Sequence, residues 1–355
     1  MWFTIISTLL LISSLLPYLP LSHWFYRFFE FAKIQIFLMQ IIVLICSILL
    51  LENFSISVRS LQFLTAVSII IHAAMLFKYT RFYVSIKKEQ GESSSKTISV
   101  LSANVYQNNK QYDSFLELVH RHDPDIILTM ESDKNWEKAL SVLDASYKYS
   151  IKVSLDNTYG MHLYSKLKIV NHSVHYFVAD DLPSIEAKIT THDNYDFTFF
   201  AVHPPPPSPT EEENAKERDG ELLSIAKKIK ENADTCVVLG DFNNVAWAKS
   251  SILFRKTSET IDGRIGRGFI SSYHTKYWFL RFPIDLMFHT PDVFVKDLKS
   301  LGNFGSDHFP IYAKFFINRK TAKQEHLVNE LEDEEHETVH EIIQDGINEK
   351  SDNRD

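Results

Sequence analysis

Charge is missing from the beginning of the chain. Residues 1–25 contain no Asp, Glu, Lys or Arg, and residues 2–21 are almost wholly apolar. A run of about 20 apolar residues is long enough to cross the hydrocarbon core of a bilayer. A cleavable signal peptide would need a basic start and a small-residue cleavage site, and the sequence shows neither. These residues therefore predict a first membrane span.

Cysteine is also scarce. The chain has 2 Cys, of which Cys46 lies inside a second apolar run and Cys236 in a predicted buried strand. Two cysteines in such places cannot form the disulfide framework of a secreted domain. This composition fits a reducing compartment without requiring one.

Further apolar runs at 35–51 and 61–77 predict two more spans. We therefore expect residues 1–80 to form a membrane anchor of about three transmembrane helices, which makes the chain an integral, multi-pass protein with the lipid bilayer as a partner.

The orientation follows from the basic residues beside the spans. With three spans, those on the side of the soluble domain are Arg27, Lys33, Lys78, Arg81, Lys87 and Lys88. The other side has Arg59 and the terminal amine. The positive-inside rule then favours a cytoplasmic domain.

Residues 90–320, which follow the predicted spans, have no excess of basic side chains. Residues 90–320 contain 27 Lys or Arg against 30 Asp or Glu, a net charge of −3. A nuclease needs a basic surface for the phosphate backbone, so this balance disfavours nucleic acid as a substrate. The acidity lies in residues 321–355, with 12 acids and 3 bases, which predict a disordered tail or a weakly amphipathic solvated helix.

The domain between anchor and tail is predicted to be rich in strands. Gly, Glu, Ser and Lys dominate residues 89–96, so we expect a linker at 81–96 and a domain at 97–320. Helical spacing of apolar residues predicts helices at 112–120 and 211–230. Short apolar runs predict strands at 97–103, 126–130, 161–164, 174–178, 185–189, 197–202, 236–239, 286–288 and 311–316. Many strands mixed with few helices indicate an α/β fold with a two-sheet core covered by helices.

Polar residues follow several of these strands. A phosphate ester resists hydrolysis because its anionic oxygens repel a nucleophile, so a hydrolase must supply a divalent cation, donors to the phosphoryl oxygens and a base for water. Hard oxygen ligands indicate Mg²⁺ or Mn²⁺ rather than zinc. Candidates for these roles stand at strand ends, in the order Asn104, Glu131, His203, Asp241, Asn243, Asp285, Asp307 and His308.

The motifs that contain these residues resemble the endonuclease/exonuclease/phosphatase superfamily, whose members are deoxyribonuclease-I-like. The matching pieces are the Asn in SANVYQNN, the Glu in ILTMES, the His in FAVHPPP, GDFNN, the Asp in PIDLMF, and GSDHFP. GDFN followed by SDH is the specific part of this pattern. Together with the apolar N-terminus, the motifs look most like the membrane-anchored bacterial branch. The resemblance implies a four-layered α/β sandwich, in which helices flank two packed mixed β-sheets, preceded here by the three spans.

The resemblance also implies roles for the site residues. Asn104 and Glu131 would hold the metal, Mg²⁺ or Mn²⁺, with Asp307 in or near its ligand shell. Asp241 and Asn243 would orient the nucleophilic water and the scissile phosphate.

Two histidines complete the implied site. His203 would donate to a phosphoryl or leaving-group oxygen. His308, oriented by Asp285, would act as a general base or as a donor that stabilises the phosphate.

The sequence thus predicts a membrane-anchored, divalent-metal-dependent phosphoesterase. A tethered site gains effective concentration towards substrates in the same bilayer, which favours a phosphorylated lipid or lipid-linked headgroup. One alternative is a metal-dependent nuclease, and another is a catalytically silent membrane scaffold that uses the tail for partners. The aromatic-rich residues 273–286 are interpreted as core or an aromatic lid, or as a contact for substrate or lipid.

Overall fold

The computed structural model describes residues 2–51, 55–83, 96–232, 234–320 and 324–351. Most of the predicted linker, residues 84–95, lies outside the described residues.

The N-terminal part is helical. Its helices are α1 (Trp2–Leu15), α2 (Trp24–Phe31), α3 (Lys33–Leu50) and α4 (Ile56–Phe77). By length and composition, α3 and α4 are long and apolar enough to cross a membrane.

The predicted first span at 2–21 is not supported. The α-helix there has 14 residues and is about 21 Å long at 1.5 Å per residue, which is shorter than a hydrocarbon core. Pro17 lies in a 3-10 turn, Leu16–Tyr18, that ends α1, and α2 begins after His23, whose side chain accepts a hydrogen bond from the Phe25 amide. Two candidate spans, rather than three, therefore describe this part of the chain.

The domain that follows contains two six-stranded sheets. The first sheet has, in spatial order, β11 (Val293–Ser300), β12 (Ile311–Ile317), β1 (Ile98–Asn104), β2 (Ile126–Met130), β4 (Met161–Ser165) and β3 (Tyr149–Val153). The second has β5 (Ile169–His175), β6 (Ser184–Thr190), β7 (Asp196–Val202), β8 (Cys236–Asp241), β10 (Asp285–His289) and β9 (Ile261–Asp262). Each sheet is mixed, because β1 pairs in parallel with β2, and β7 in parallel with β8, among antiparallel neighbours.

The sheets pack face to face around an apolar core that includes Val100, Phe199 and Phe315, all fully buried. Phe115 and Trp136 belong to a second apolar cluster on the outer face of the first sheet. They lie on the covering helices α5 (Tyr112–His122) and α6 (Lys134–Ala139). The outer face of the second sheet is covered by α7 (Lys216–Asn232), α8 (Lys249–Ser258) and α9 (Asp333–Asn348). The predicted α/β sandwich of two mixed sheets flanked by helices is confirmed.

The strands that the sequence misplaces or misses are β3, β5, β9 and β11, and each is the edge strand of its sheet. The prediction of a strand at 174–178 is wrong, because β5 ends at His175. The side chains of β3 and β5 are mostly half-exposed or exposed, which weakens their apolar signal, and β9 is only two residues long.

The parallel pairs place polar residues at one end of the sandwich. Asn104 is in register with Met130 where β1 and β2 end, and Val202 is in register with Gly240 near the ends of β7 and β8. Asp285, the first residue of β10, lies directly across from Asp241. The ends of strands from both sheets therefore meet at a common edge.

The N-terminal helices pack directly on this domain. The Trp247 indole Nε1 donates to the Glu30 carbonyl (2.7 Å), and the Tyr79 ring lies 5.6 Å from the Trp247 ring. The Gly266 amide donates to the Lys78 carbonyl (2.8 Å). The ends of α2 and α4 are thus both held at the domain surface.

The tail contains a packed helix. A capping box between Glu332 and Glu335 begins α9, and its Val339 and Ile343 are buried in the core beside α7. The helices approach closely at two glycines, since a Cβ on Gly220 would lie 2.9 Å from the Gly346 Cα. Of the two alternatives predicted for the tail, disorder is wrong for residues 333–348, and the predicted helix is present but is packed beside α7 rather than solvated. Residues 321–323 and 352–355 lie outside the described residues.

The packing of α9 can be tested by truncating its buried face. Ile343→Ala removes a side chain that is 7% exposed, so we expect the full-length protein to lose about 2–4 kcal/mol of stability. The matched control is Ile347→Ala, one turn along at 45% exposure, which should change stability by less than about 0.5 kcal/mol. Thermal unfolding in detergent measures both, and equal melting temperatures for the two variants would contradict the packed helix.

Candidate active site

A cleft of about 670 Å³ opens at the common edge of the two sheets. The structure brings the predicted site residues together there: Asn104, Glu131, His203, Asp241, Asn243, Asp307 and His308 line the cleft. Asp285 lies behind His308 and contacts its ring. All of the predicted residues thus form one constellation.

Asn104, which is buried, pairs with the half-buried Glu131 where β1 and β2 end. The Asn104 Nδ2 donates to the Glu131 Oε1 (2.8 Å), and the Gln107 amide donates to the Glu131 Oε2 (3.1 Å). Glu131 has φ of 59°, a left-handed conformation that is uncommon outside Gly and Asn and that turns the chain as it leaves β2. Burial raises the pKa of the Glu131 carboxyl to about 7, against the opposing effect of the Asn104 hydrogen bond.

Asp241 stands at the end of β8, directly after a glycine that the packing requires. A Cβ on Gly240 would lie 2.1 Å from the Val202 carbonyl oxygen, so only glycine allows β7 and β8 to approach here. The Asp241 carboxylate accepts hydrogen bonds from the Asn243 amide (2.9 Å) and from Asn104 Nδ2 (3.2 Å). Burial raises the pKa of this carboxyl, and the neighbouring His308 ring opposes the rise.

His308 lies between two carboxylates. Its Nδ1 lies 2.9 Å from the Asp285 Oδ2, and its Nε2 lies 3.5 Å from the Asp241 Oδ2. Burial lowers the pKa of the ring, but the charges of Asp241 and Asp285 outweigh burial and raise it to about 10. The ring is therefore an imidazolium at neutral pH, donating its Nδ1 proton to Asp285.

His203 has the opposite character. Burial lowers its pKa to about 4, so its imidazole is neutral at pH 7. Its Nε2 lies 4.0 Å from the Asp241 Oδ2, and among the described residues its Nδ1 has no hydrogen-bond partner. The Tyr159 ring packs at 5.4 Å from the His203 ring and helps to hold it in place.

Asn243 and Asp307 are fixed by backbone contacts. The Asn243 Nδ2 donates to the Pro204 carbonyl (2.9 Å), and the Arg218 Nη1 donates to the Asn243 carbonyl (3.1 Å). The Thr275 amide donates to the Asp307 carbonyl oxygen (2.9 Å), while the Asp307 side chain is half-buried at the cleft.

The chemistry of the donor set fits a hard divalent cation. Carboxylate oxygens of Glu131, Asp241 and Asp307 share the cleft with the Asn104 amide, and such ligands suit Mg²⁺ or Mn²⁺. In this structure Asn104 points its Nδ2 at the carboxylates and its Oδ1 accepts from the Tyr106 amide (3.0 Å), so ligation by Asn104 requires its oxygen to turn into the cleft.

A second group of possible ligands overlaps with the first. Atoms of Asp241, Asp285 and His308 lie within 4.8 Å of one another. Because the His308 Nδ1 is already hydrogen-bonded to Asp285, these three residues are better described as a hydrogen-bonded unit beside the oxygen ligands of Glu131 and Asp307.

Comparison with known proteins agrees with this geometry. The profile of the endonuclease/exonuclease/phosphatase family matches residues 101–308, which contain every residue of the constellation. The chain belongs to this family. Members of the family act on phosphate esters, and they generally use a divalent metal. No curated protein matches the chain in sequence.

Solved structures of the same fold support the assignment. A family protein from Bacteroides thetaiotaomicron has 20% identity and a TM-score of 0.54, covering 64% of this chain and 100% of its own. TDP2 from D. rerio, complexed with a single-strand DNA product, has 19% identity and a TM-score of 0.53, covering 62% and 99%. The human Nocturnin catalytic domain with a bound sulfate anion has 16% identity and a TM-score of 0.52, covering 62% and 95%. At these identities the likeness concerns the fold alone.

Sequence reasoning missed the part of the apolar wall of the cleft that α2 contributes, whereas it singled out residues 273–286 as core, as an aromatic lid or as a contact for substrate or lipid. Trp24, Phe28 and Phe31 of α2 line the cleft, together with Tyr273 and Phe282 of the aromatic-rich segment. The signal was present, because Trp24, Phe28 and Phe31 have the spacing of one helical face.

The charge cluster at His308 predicts a dependence of stability on pH. The folded-state pKa of about 10 lies above the ordinary value of 6.5. The folded protein therefore keeps a proton that the unfolded chain releases, and this contribution is full below pH 6.5 and lost as the pH rises towards 10. Asp285→Asn removes one of the charges that raise this pKa, so the fall in melting temperature between these pH values should become shallower.

The measurement is thermal unfolding of the full-length protein in detergent with a chelator present. Asp297→Asn is the control, because Asp297 is 42% exposed and pairs with Lys299 away from the cleft. Parallel curves for Asp285→Asn and the unaltered protein would show that Asp285 does not set the His308 pKa.

Proposed function

We propose that this protein is a divalent-metal-dependent phosphoesterase that hydrolyses membrane-embedded phosphate esters. The observation that carries the proposal is the convergence in one cleft of the carboxylates of Glu131 and Asp241 with an imidazolium on His308. A cleft with oxygen ligands, a charged donor and a carboxylate base supplies each element that phosphoester hydrolysis needs.

Asn104, Glu131 and Asp307 would hold the metal. When bound, Mg²⁺ or Mn²⁺ would supply positive charge to the phosphoryl oxygens and favour the attack of water. Glu131, whose burial raises its pKa to about 7, gains a compensating charge in this way.

Asp241 is the proposed base for the attacking water. Its burial raises the pKa of the carboxyl, which makes it a stronger proton acceptor, and the Asn243 amide fixes its orientation. As water adds to phosphorus, one of its protons passes to the Asp241 carboxylate and the bond to the leaving oxygen breaks. The leaving oxygen takes up a proton from bulk water, and Asp241 returns its own proton to bulk water.

His308 is the proposed donor to the phosphoryl oxygens. The sequence allowed either a base or a donor at this position, and a pKa of about 10 favours the donor, since the ring is charged at neutral pH. His203 is neutral and would donate an N–H hydrogen bond to a phosphoryl or leaving-group oxygen.

The surroundings of the cleft favour a lipid over nucleic acid. Among the described residues that line the cleft, none is Lys or Arg. Proteins that bind nucleic acid neutralise its phosphates with such side chains. The two apolar helices would keep the cleft at a bilayer surface, and the complete site argues against a silent scaffold.

We also propose that the domain is cytoplasmic. The ends of α3 and α4 that dock on the domain carry Lys33, Lys78 and Arg81, whereas Arg59 lies at the opposite end of the helix pair. The positive-inside rule favours the cytoplasm for the more basic side.

The metal and donor roles can be separated by mutation. Glu131→Gln keeps shape but removes a ligand charge, so the Mg²⁺ concentration for half-maximal activity should rise about tenfold or more. His308→Ala should lower kcat by about 100-fold or more with little change in that concentration. Glu117→Gln, on the exposed face of α5, is the control. Equal effects of both site variants on the Mg²⁺ requirement would contradict this division of roles.

The substrate class can be decided by a direct comparison. Full-length protein with Mg²⁺ should hydrolyse phosphorylated lipids in vesicles faster than inositol phosphates or single-stranded DNA. Phosphate release measures the first two, and gel electrophoresis measures the third. Efficient cleavage of DNA that falls steeply as salt is raised would replace the lipid proposal with a nuclease.

A further inference from the structure

One wall of the catalytic cleft comes from the N-terminal helices. Trp24, Phe28 and Phe31 of α2 line the cleft that also holds the catalytic residues. The aromatic-rich segment contributes Tyr277 and Leu280 to the same cleft. The cleft is therefore polar at the strand ends and apolar towards α2.

This apolar wall continues to the place where α3 leaves the domain. The Gln35 Nε2, in the first turn of α3, donates to the Phe279 carbonyl (3.1 Å). Trp278 and Phe279 are 78% and 53% exposed there. Exposed aromatic residues beside the end of a span are typical of the membrane–water interface.

The wall is a fixed part of the domain. The Phe31 ring packs edge-on against the Phe282 ring at 5.9 Å. The Trp24 amide donates to the Glu213 carbonyl (2.9 Å), and the carbonyl of Glu30 accepts from the Trp247 indole. Both ends of α2 are thus held against the catalytic domain.

We propose that α2 and the 277–282 segment bind the apolar chain of a membrane-embedded phosphate ester while its phosphate sits at the catalytic residues. The N-terminal helices then supply half of the substrate site as well as the tether. The phosphate half of this proposal rests on the proposed function. A lipid chain fits this wall better than a stacked nucleobase, because no Lys or Arg among the described lining residues would bind the accompanying phosphates.

Two probes with the same scissile bond test the proposal: methyl p-nitrophenyl phosphate and hexadecyl p-nitrophenyl phosphate. Full-length protein in detergent micelles should prefer the hexadecyl probe. Phe28→Ala should lower the hexadecyl-to-methyl ratio of kcat/KM by about fivefold, since it removes apolar contact with the chain. Phe25→Ala is the matched control, because Phe25 is 45% exposed against 44% for Phe28, lies on the same helix and does not line the cleft.

An unchanged ratio in Phe28→Ala, or an equal fall in Phe25→Ala, would overturn the proposal.

A second measurement does not depend on turnover. A hexadecylphosphonate carrying a diazirine on its chain should cross-link to residues 24–31 or 277–282, and excess hexadecylphosphonate should compete where methylphosphonate does not. Cross-links confined to α3 and α4 would also overturn it. Failure of the proposed function alone would appear as cross-linking at α2 without hydrolysis of either probe.

Discussion

The hydrogen bond between His308 and Asp285 is the contact on which the arrangement of the site depends. The register of β8 and β10 places Asp241 and Asp285 directly opposite each other, and facing like charges destabilise a sheet. The His308 ring lies between them, at 3.5 Å and 2.9 Å from their carboxylates, and compensates both. A buried imidazolium without a partner would destabilise the fold, because its charge has lost the solvation of water. Each of these charges is therefore stabilised by its neighbours.

This charge cluster also joins the two sheets. Asp241 and Asp285 belong to the second sheet, whereas His308 precedes β12 of the first. The first sheet is further linked to the cluster by Asn104, whose amide donates to Asp241. The edges of the sheets are thus held at a fixed separation, which sets the width of the cleft between them.

Most of the fold could be predicted because central strands such as β2 and β8 are continuous apolar runs that are buried on both faces. The edge strands could not, since β5 is largely exposed and reads as a polar segment. The tail was misjudged for a related reason: in α9 only a narrow face, with Val339 and Ile343, meets the core, and the acidic remainder dominates its composition. The composition of a segment indicates how exposed the segment is on average, but it does not indicate which face of a helix packs against the core.

The positions of the site residues could be predicted, but their electrostatic states could not. The motif SDH places a histidine near a carboxylate, yet the charge of His308 depends on the register of two strands that are distant in sequence. Neutral His203 and charged His308 differ because one is buried near a single carboxylate at 4.0 Å and the other lies between two. Such differences arise only from tertiary contacts.

The effect of the N-terminal helices on the cleft also depends on tertiary contacts. The candidate catalytic residues lie at strand ends, while the elements around the cleft decide what can reach them. Here one of those elements is α2, which the sequence presents only as part of an apolar region. Because Trp247 and Phe282 pack against α2, removing the N-terminal helices would expose the domain core and open one side of the cleft. The N-terminal helices and the domain are therefore physically one unit.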